Sequence, residues 1–152
     1  GRDASYKNLD KIIHNFSKNK FHIDLIGKID KKYGTNENIN LLGFKNKEWI
    51  QKNLCNYDYL IVASDYREPF GIVYLEAVFS NVCIISTRTI GLINIFKNQY
   101  PTELLIENLE DFKLEDKIDF YNKSIKNIND IYKDARNFFS SDAIKQKWIS
   151  SL

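Results

Sequence analysis

Between Tyr57 and Ser86 the chain runs through a nearly continuous apolar stretch, Tyr-Asp-Tyr-Leu-Ile-Val-Ala, then a polar loop, a helical run over 71–80, and a second apolar stretch, Val-Cys-Ile-Ile-Ser. Strand, helix and strand within about 30 residues form a parallel βαβ unit, because parallel strands need a crossover of a dozen or more residues. The crossover is right-handed. A strand apolar at almost every position, such as 57–63, is expected in the middle of a parallel sheet, covered on both faces. The same alternation extends to either side. Leu9, Ile12, Ile13 and Phe16 recur at helical spacing; 21–26 alternates as a strand and stops at Gly27; 41–44 is a second short strand and 47–54 a short helix. A helical turn near 92–96, a short strand over 104–106 and Lys-rich helical sequence from about 111 to 152 complete the pattern. It predicts an α/β fold: one domain built on a doubly wound, Rossmann-like parallel sheet with a helical C-terminal arm.

Composition narrows the function classes. The 152 residues carry 22 Lys+Arg against 20 Asp+Glu, a net charge of +2. So small a basic excess removes the main electrostatic reason to propose a nucleic acid partner. No apolar run approaches the roughly 18–20 residues that span a bilayer, and no signal-like segment follows Gly1-Arg2-Asp3, so the chain reads as soluble and cytoplasmic. The lack of any Met, together with the opening residues, suggests a piece of something larger. Cys55 and Cys83 have no CxxC spacing and are expected to be reduced core thiols. His14 and His22 are expected at an exposed helix position and a strand edge rather than as ligands, and no two aspartates stand two positions apart as a metal-holding pair.

The most informative residue is Glu76. It sits in the run Ile72-Val73-Tyr74-Leu75-Glu76-Ala77-Val78-Phe79, apolar on nearly every side, which reads as a buried helix. A carboxylate there costs several kcal/mol unless something pairs with it, on the order of the penalty for any buried ion. No basic residue lies within reach on the same helix. Two readings remain: an ion pair with a Lys from elsewhere in the fold, or a cleft-facing carboxylate that accepts hydrogen bonds from the paired hydroxyls of a ligand. Glu68 follows the apolar strand at its carboxyl end, where open α/β sheets hold ligands. Gly71 lets a ligand approach the backbone, and the amides of residues 70–73 offer a seat for a phosphate.

The segment Glu68-Pro69-Phe70-Gly71-Ile72-Val73-Tyr74-Leu75-Glu76-Ala77, with seven residues between its two glutamates, resembles the signature of family-4 retaining glycosyltransferases of the GT-B fold. The opening Gly1-Arg2-Asp3-Ala4-Ser5-Tyr6-Lys7-Asn8 is similar to that family's G-R-x-x-x-x-K-G segment, which begins the C-terminal, donor-binding half. The strands over 21–27, 41–44 and 59–64 resemble the flanking elements in the same order. The resemblance implies that residues 1–152 are the nucleotide-sugar-binding domain of a longer glycosyltransferase whose N-terminal acceptor domain is not in this chain. It implies that Arg2 and Lys7 hold the donor diphosphate, with the amides of Gly71, Ile72 and Val73. Glu76 would accept the ribose hydroxyls, Glu68 would contact the transferred sugar, and the base would lie near Gly43, Phe44 and Lys45. The donor is a substrate, and no cofactor or metal is expected. The acceptor would be a glycan or glycolipid, as in polysaccharide biosynthesis, met through the missing domain, with room for peripheral contact of the parent enzyme on the inner face of the membrane.

The chain departs from the family pattern at Asn81 and Cys83, which replace a glycine and a proline, and at Ile90-Gly91 and Asn94, where Gly-Gly and an acid are usual. Two alternatives are a GT-B-like nucleotide-sugar epimerase and a flavodoxin-like signalling receiver with Asp65 as phosphoacceptor.

Overall fold

The computed structural model describes residues 7–16, 21–35, 37–65, 71–88, 100–110, 113–140 and 142. Helix α1 spans Leu9–Phe16 and strand β1 Ile23–Ile26. A 3-10 turn over Lys31–Thr35 leads to β2, Ile39–Gly43, followed by helix α2, Lys47–Asn53. The βαβ unit follows as β3 (Tyr59–Val62), α3 (Ile72–Phe79) and β4 (Cys83–Thr87). Strand β5, Leu105–Ile106, and the long helix α4, Leu114–Phe138, complete the described chain.

All strand pairings among the described residues are parallel, as an alternating βα pattern requires. They form two sheets, β1-β2 and β3-β4-β5. The fold is α/β and Rossmann-like, with a helical C-terminal segment in α4.

Strand β4 is the centre of the molecule. All five of its residues are buried. One edge pairs with β3 along its first four residues. The other pairs with β5 only at Ser86 and Thr87, so Val82 and Ile84 would be left unpaired in an apolar interior. Two tyrosines replace the strand there. The Tyr132 hydroxyl accepts from the Ile84 amide at 3.1 Å and donates to the Val82 carbonyl at 3.1 Å, and the Tyr100 hydroxyl donates to the Ile84 carbonyl. Buried polar backbone is thus satisfied by side chains.

Three sequence expectations are corrected. Strand β3 is not covered on both faces: all four of its residues are only half-buried. Helix α3 is not buried all round; Tyr74, Ala77 and Val78 are covered, while Ile72 and Phe79 are exposed. Cys55 is exposed, in the 3-10 turn after α2, whereas Cys83 is the buried thiol expected. His14 and His22 are both exposed. The helical turn near 92–96, and Ile90, Gly91 and Asn94, lie outside the described residues.

Asn81 has a φ of 56°, the left-handed region that a non-glycine residue enters reluctantly. Asn is among the few side chains that tolerate it. Its amide oxygen also accepts from the Arg136 guanidinium at 2.6 Å, and the same nitrogen reaches the Val78 carbonyl at 2.8 Å. The turn from α3 into β4 is thereby tied to α4.

Candidate functional site

The carboxyl ends of β2 and β3 and the start of α3 carry most of the candidate residues. Gly43 ends β2 with a φ of 70°, and a Cβ added there would meet nothing within 4 Å, so the backbone is open to an approaching molecule. Phe44, next in the chain, is 77% exposed. The Lys45 ammonium stands 5.1 Å from the Trp49 ring centroid. Asn46 caps α2 by accepting from the Trp49 amide at 2.9 Å, which fixes the direction in which this loop leaves the sheet.

Lys7 and Asn8 stand at the corresponding end of β3. Asn8 has a φ of 51° and is buried; its amide donates to the Asp65 carboxylate at 2.8 Å. That bond pins the entrance of α1 to the segment that leaves β3. Burial pulls the neighbouring Lys7 ammonium below its usual range.

Gly71 caps α3 in the left-handed conformation, φ 69° and ψ 73°. No side chain caps this end, so the Ile72 and Val73 amides are among the groups that an intrahelical bond cannot satisfy. Ile72 is 68% exposed, an apolar side chain on the open side of the helix start. One turn on, Glu76 is half-buried. Burial raises its carboxyl above the ordinary value, and Lys47 at the start of α2 opposes the shift. No ion pair within 4 Å and no hydrogen bond to the Glu76 carboxylate occurs among the described residues. The pairing expected of a structural carboxylate is therefore not formed there.

The structure thus brings Lys7, Gly71, Ile72, Val73, Glu76 and the loop Gly43-Phe44-Lys45 to one end of the parallel strands. Arg2 and Glu68 lie outside the described residues. Two participants were not expected from the sequence. Lys47 supplies the charge that Glu76 feels, and only its place one residue after a helix cap at the end of β2 could have pointed to it. Asn8 is the other, and the signal that could have found it is its place where the family segment has a glycine.

A hollow of about 380 Å³ opens beside this end, lined by Ser64, Thr87, Arg88 and Glu107 among others; Arg88 and Glu107 are ion-paired across it at 2.6 Å. A larger one, about 490 Å³, lies along α4 and touches none of the candidate residues. Among the described residues no cluster of three His, Cys, Asp or Glu could hold a metal ion, and no helix is long and apolar enough to cross a membrane.

The model of the glycosyl transferases group 1 family matches residues 1–138. The chain belongs to this family. No curated protein sequence matches it significantly. Among solved structures it is similar to Anabaena Alr3699/HepE in complex with UDP and glucose, with a TM-score of 0.76 at 17% identity over 100% of this chain and 47% of that one. It is also similar to WaaG, a glycosyltransferase involved in lipopolysaccharide biosynthesis, with a TM-score of 0.59 at 18% identity over 91% of this chain and 40% of that one. A third is the catalytic domain of cholesterol-α-glucosyltransferase from Helicobacter pylori, with a TM-score of 0.61 at 20% identity, covering 96% of this chain and 94% of that one. The chain spans about half the length of the HepE structure. These likenesses establish the fold as that of a GT-B glycosyltransferase half, and they favour neither the epimerase nor the receiver alternative.

Proposed function

We propose that this chain is the C-terminal, nucleotide-sugar-binding domain of a retaining glycosyltransferase of the family-4 type, acting as a hexosyltransferase with an N-terminal acceptor domain elsewhere in the same polypeptide. One observation carries this: a half-buried carboxylate, Glu76, held without an ion pair among the described residues and one turn beyond the uncapped amides of α3. A vicinal diol is the partner such a group lacks, and a phosphate is the partner the amides lack. A nucleoside diphosphate carries both. The UDP and glucose held by the HepE structure support the same donor class.

In this reading Glu76 accepts the ribose hydroxyls, and the Ile72 and Val73 amides, approached over Gly71, hold the diphosphate with Lys7 and Arg2. The base lies over Gly43, Phe44 and Lys45, with the exposed Phe44 ring as a surface for it. Glu68 contacts the sugar. In the transfer the bond from the anomeric carbon to the phosphate oxygen breaks and a bond to the acceptor hydroxyl oxygen forms. The electron pair passes to the leaving diphosphate, and the acceptor proton is released to it. Fixed positive charge at Lys7 and Arg2 stabilises that developing charge without a protein-held metal ion. The acceptor, a glycan or glycolipid of polysaccharide biosynthesis, is bound by the other domain, so this domain alone transfers little. The parent enzyme works in the cytoplasm, touching the membrane at most peripherally.

Isothermal titration of the full-length protein with UDP, GDP and ADP and their sugars tests the assignment. One nucleotide should bind, and Glu76→Ala should weaken it by about tenfold or more while the circular dichroism spectrum is retained, since a hydrogen bond to a charged group contributes about 1.5–3 kcal/mol. Absence of binding at millimolar nucleotide, with Glu76→Ala as stable as the parent, would refute it.

A further inference from the structure

The loop after β2 holds a cation for which the diphosphate, seated at the start of α3, has no use. Lys45 is half-buried, and its ammonium stands over the Trp49 ring, 5.1 Å from the centroid. Among the described residues no carboxylate comes within 4 Å of it and no oxygen accepts from it. An ammonium carries three N–H donors and no acceptor. The ring face attracts its charge but leaves those donors to a partner from outside the chain.

Backbone on both sides sets where this ammonium stands. Gly43, two residues earlier, ends β2 with a φ of 70° and open space where a Cβ would be. Asn46, next in the chain, caps α2 by accepting from the Trp49 amide at 2.9 Å, and the Trp49 carbonyl accepts from the Asn53 side-chain amide at 2.8 Å. Cap and helix hold the ring, and the ring holds the ammonium. The loop also runs beside Glu76, since Lys47, two residues past Lys45, is the cation whose charge acts on that carboxylate. With phosphates at the α3 amides and ribose hydroxyls at Glu76, the remaining end of a nucleotide, its base, comes to this loop.

Resting on the donor-binding function proposed above, we infer that Lys45, positioned by Trp49, selects the base of the nucleotide, and that the base is one with a carbonyl oxygen on the edge it presents: uracil or guanine. The four common bases divide at that edge. Uracil presents O4, and guanine O6 with N7, all of them acceptors, whereas adenine and cytosine present an exocyclic amine. A donor-only ammonium forms a charge-assisted bond with the first two and confronts another donor on the others. Adenine keeps N7 as an acceptor, but its neighbouring amine meets the same ammonium, so the two-acceptor edge of guanine is lost. Phe44, 77% exposed beside Lys45, offers a ring face on which any base can stack. It adds affinity without choosing, and the choice falls to Lys45.

Titration of the full-length protein with UDP, GDP, ADP and CDP reads this choice as a ratio of dissociation constants. UDP or GDP should bind about tenfold or more tighter than both ADP and CDP, the difference that one hydrogen bond to a charged group makes. Any general attraction of a positive charge for the diphosphate is common to the four nucleotides and cancels in the ratio. Lys45→Met removes the donors and keeps a long side chain, and it should bring the ratio close to one. Lys45→Arg, which keeps the charge, the donors and the stack on Trp49, should retain it. Trp49→Leu should lower it by about threefold, as loss of a cation–π contact does. A parent that prefers ADP or CDP, or a ratio unmoved by Lys45→Met or by Trp49→Leu, overturns the inference. If in that case Glu76→Ala still weakens every nucleotide, the donor site stands and only the selection by Lys45 falls. If none of the four binds at millimolar concentration, the donor site falls and the selection with it.

Discussion

Among the described residues, twenty buried ones form a single cluster around β3, β4 and β5 that reaches from Ile12 to Ala135, whereas around β1 and β2 only Leu25, Tyr33 and Ile39 are buried together. Both halves carry parallel strands of similar length and both end in loops assigned to the donor. The first half is fixed from several directions: α3, α4 and the two tyrosines that satisfy β4. The second rests on α1, the 3-10 turn and a few polar links such as the Asn40 amide to the Asp24 carboxylate at 2.9 Å. Free energies of local opening follow buried apolar contact. The Gly71–Glu76 side of the site is therefore on a rigid frame, and the Gly43-Phe44-Lys45 side on an adaptable one.

Truncating one core residue in each half should expose the contrast most strongly. Ile85, fully buried at the centre of β4, has no room to relax, and Ile85→Ala should cost about 2–5 kcal/mol. Leu25→Ala, in a three-residue cluster with half-buried neighbours, should fall near the lower end, about 2 kcal/mol. Denaturant titration of the two variants compares them. Equal costs would mean that the two halves share one core.

A smaller effect sharpens the account of β4. Tyr132→Phe keeps the ring and removes the hydroxyl that joins the Ile84 amide and the Val82 carbonyl. Leaving buried backbone groups unpaired should cost about 1–3 kcal/mol. The Ile84 amide should exchange faster while Leu60, on the β3 side, is little changed. If Ile84 keeps its protection, the tyrosine is not what closes this edge.

The positions and types of the elements were legible because each rests on local periodicity. The α1 pattern of Leu9, Ile12 and Phe16 gives the observed Leu9–Phe16, and the βαβ order from Tyr57 to Ser86 is as expected. Two backbone peculiarities left a signal that local periodicity does not carry: Asn8 and Asn81 stand where the family pattern has glycines, and both have positive φ. Burial was not legible, because it depends on what lies beside an element. Helix α3 is apolar all round, yet Ile72 and Phe79 face open space. Strand β3 reads as central, yet one of its edges has no partner among the described residues. The pairing of Glu76 was undecidable for the same reason. The sequence could place the carboxylate in an apolar helix, but only the fold shows Lys47 acting on it without closing an ion pair. Helical composition runs from about 111 to 152; the described helix covers Leu114–Phe138, and residues 143–152 lie outside the described residues.

Glu76→Gln should have the smallest effect on stability and is the most diagnostic for function. Burial raises the Glu76 carboxyl in the folded state, with Lys47 pulling against it. A folded-state value above the unfolded one means that the folded protein binds the proton more tightly. The resulting stabilisation is complete below the ordinary carboxylate range and is lost as pH rises through the raised folded value. At neutral pH the ionised group is therefore a slight liability on the rigid half of the molecule. Gln, which carries no charge to desolvate, should move the melting temperature slightly upward at pH 7 and flatten its fall between the carboxylate range and neutrality. Nucleotide affinity should move the other way, down by about tenfold or more, because a neutral amide accepts diol hydroxyls less strongly than a carboxylate. Melting curves at several pH values, with and without nucleoside diphosphate, read both effects in one experiment. Opposite signs are what a carboxylate kept for a ligand requires. A lowered melting temperature without nucleotide would instead make Glu76 a structural partner of Lys47, leaving the amides of α3 as the remaining support for the donor site.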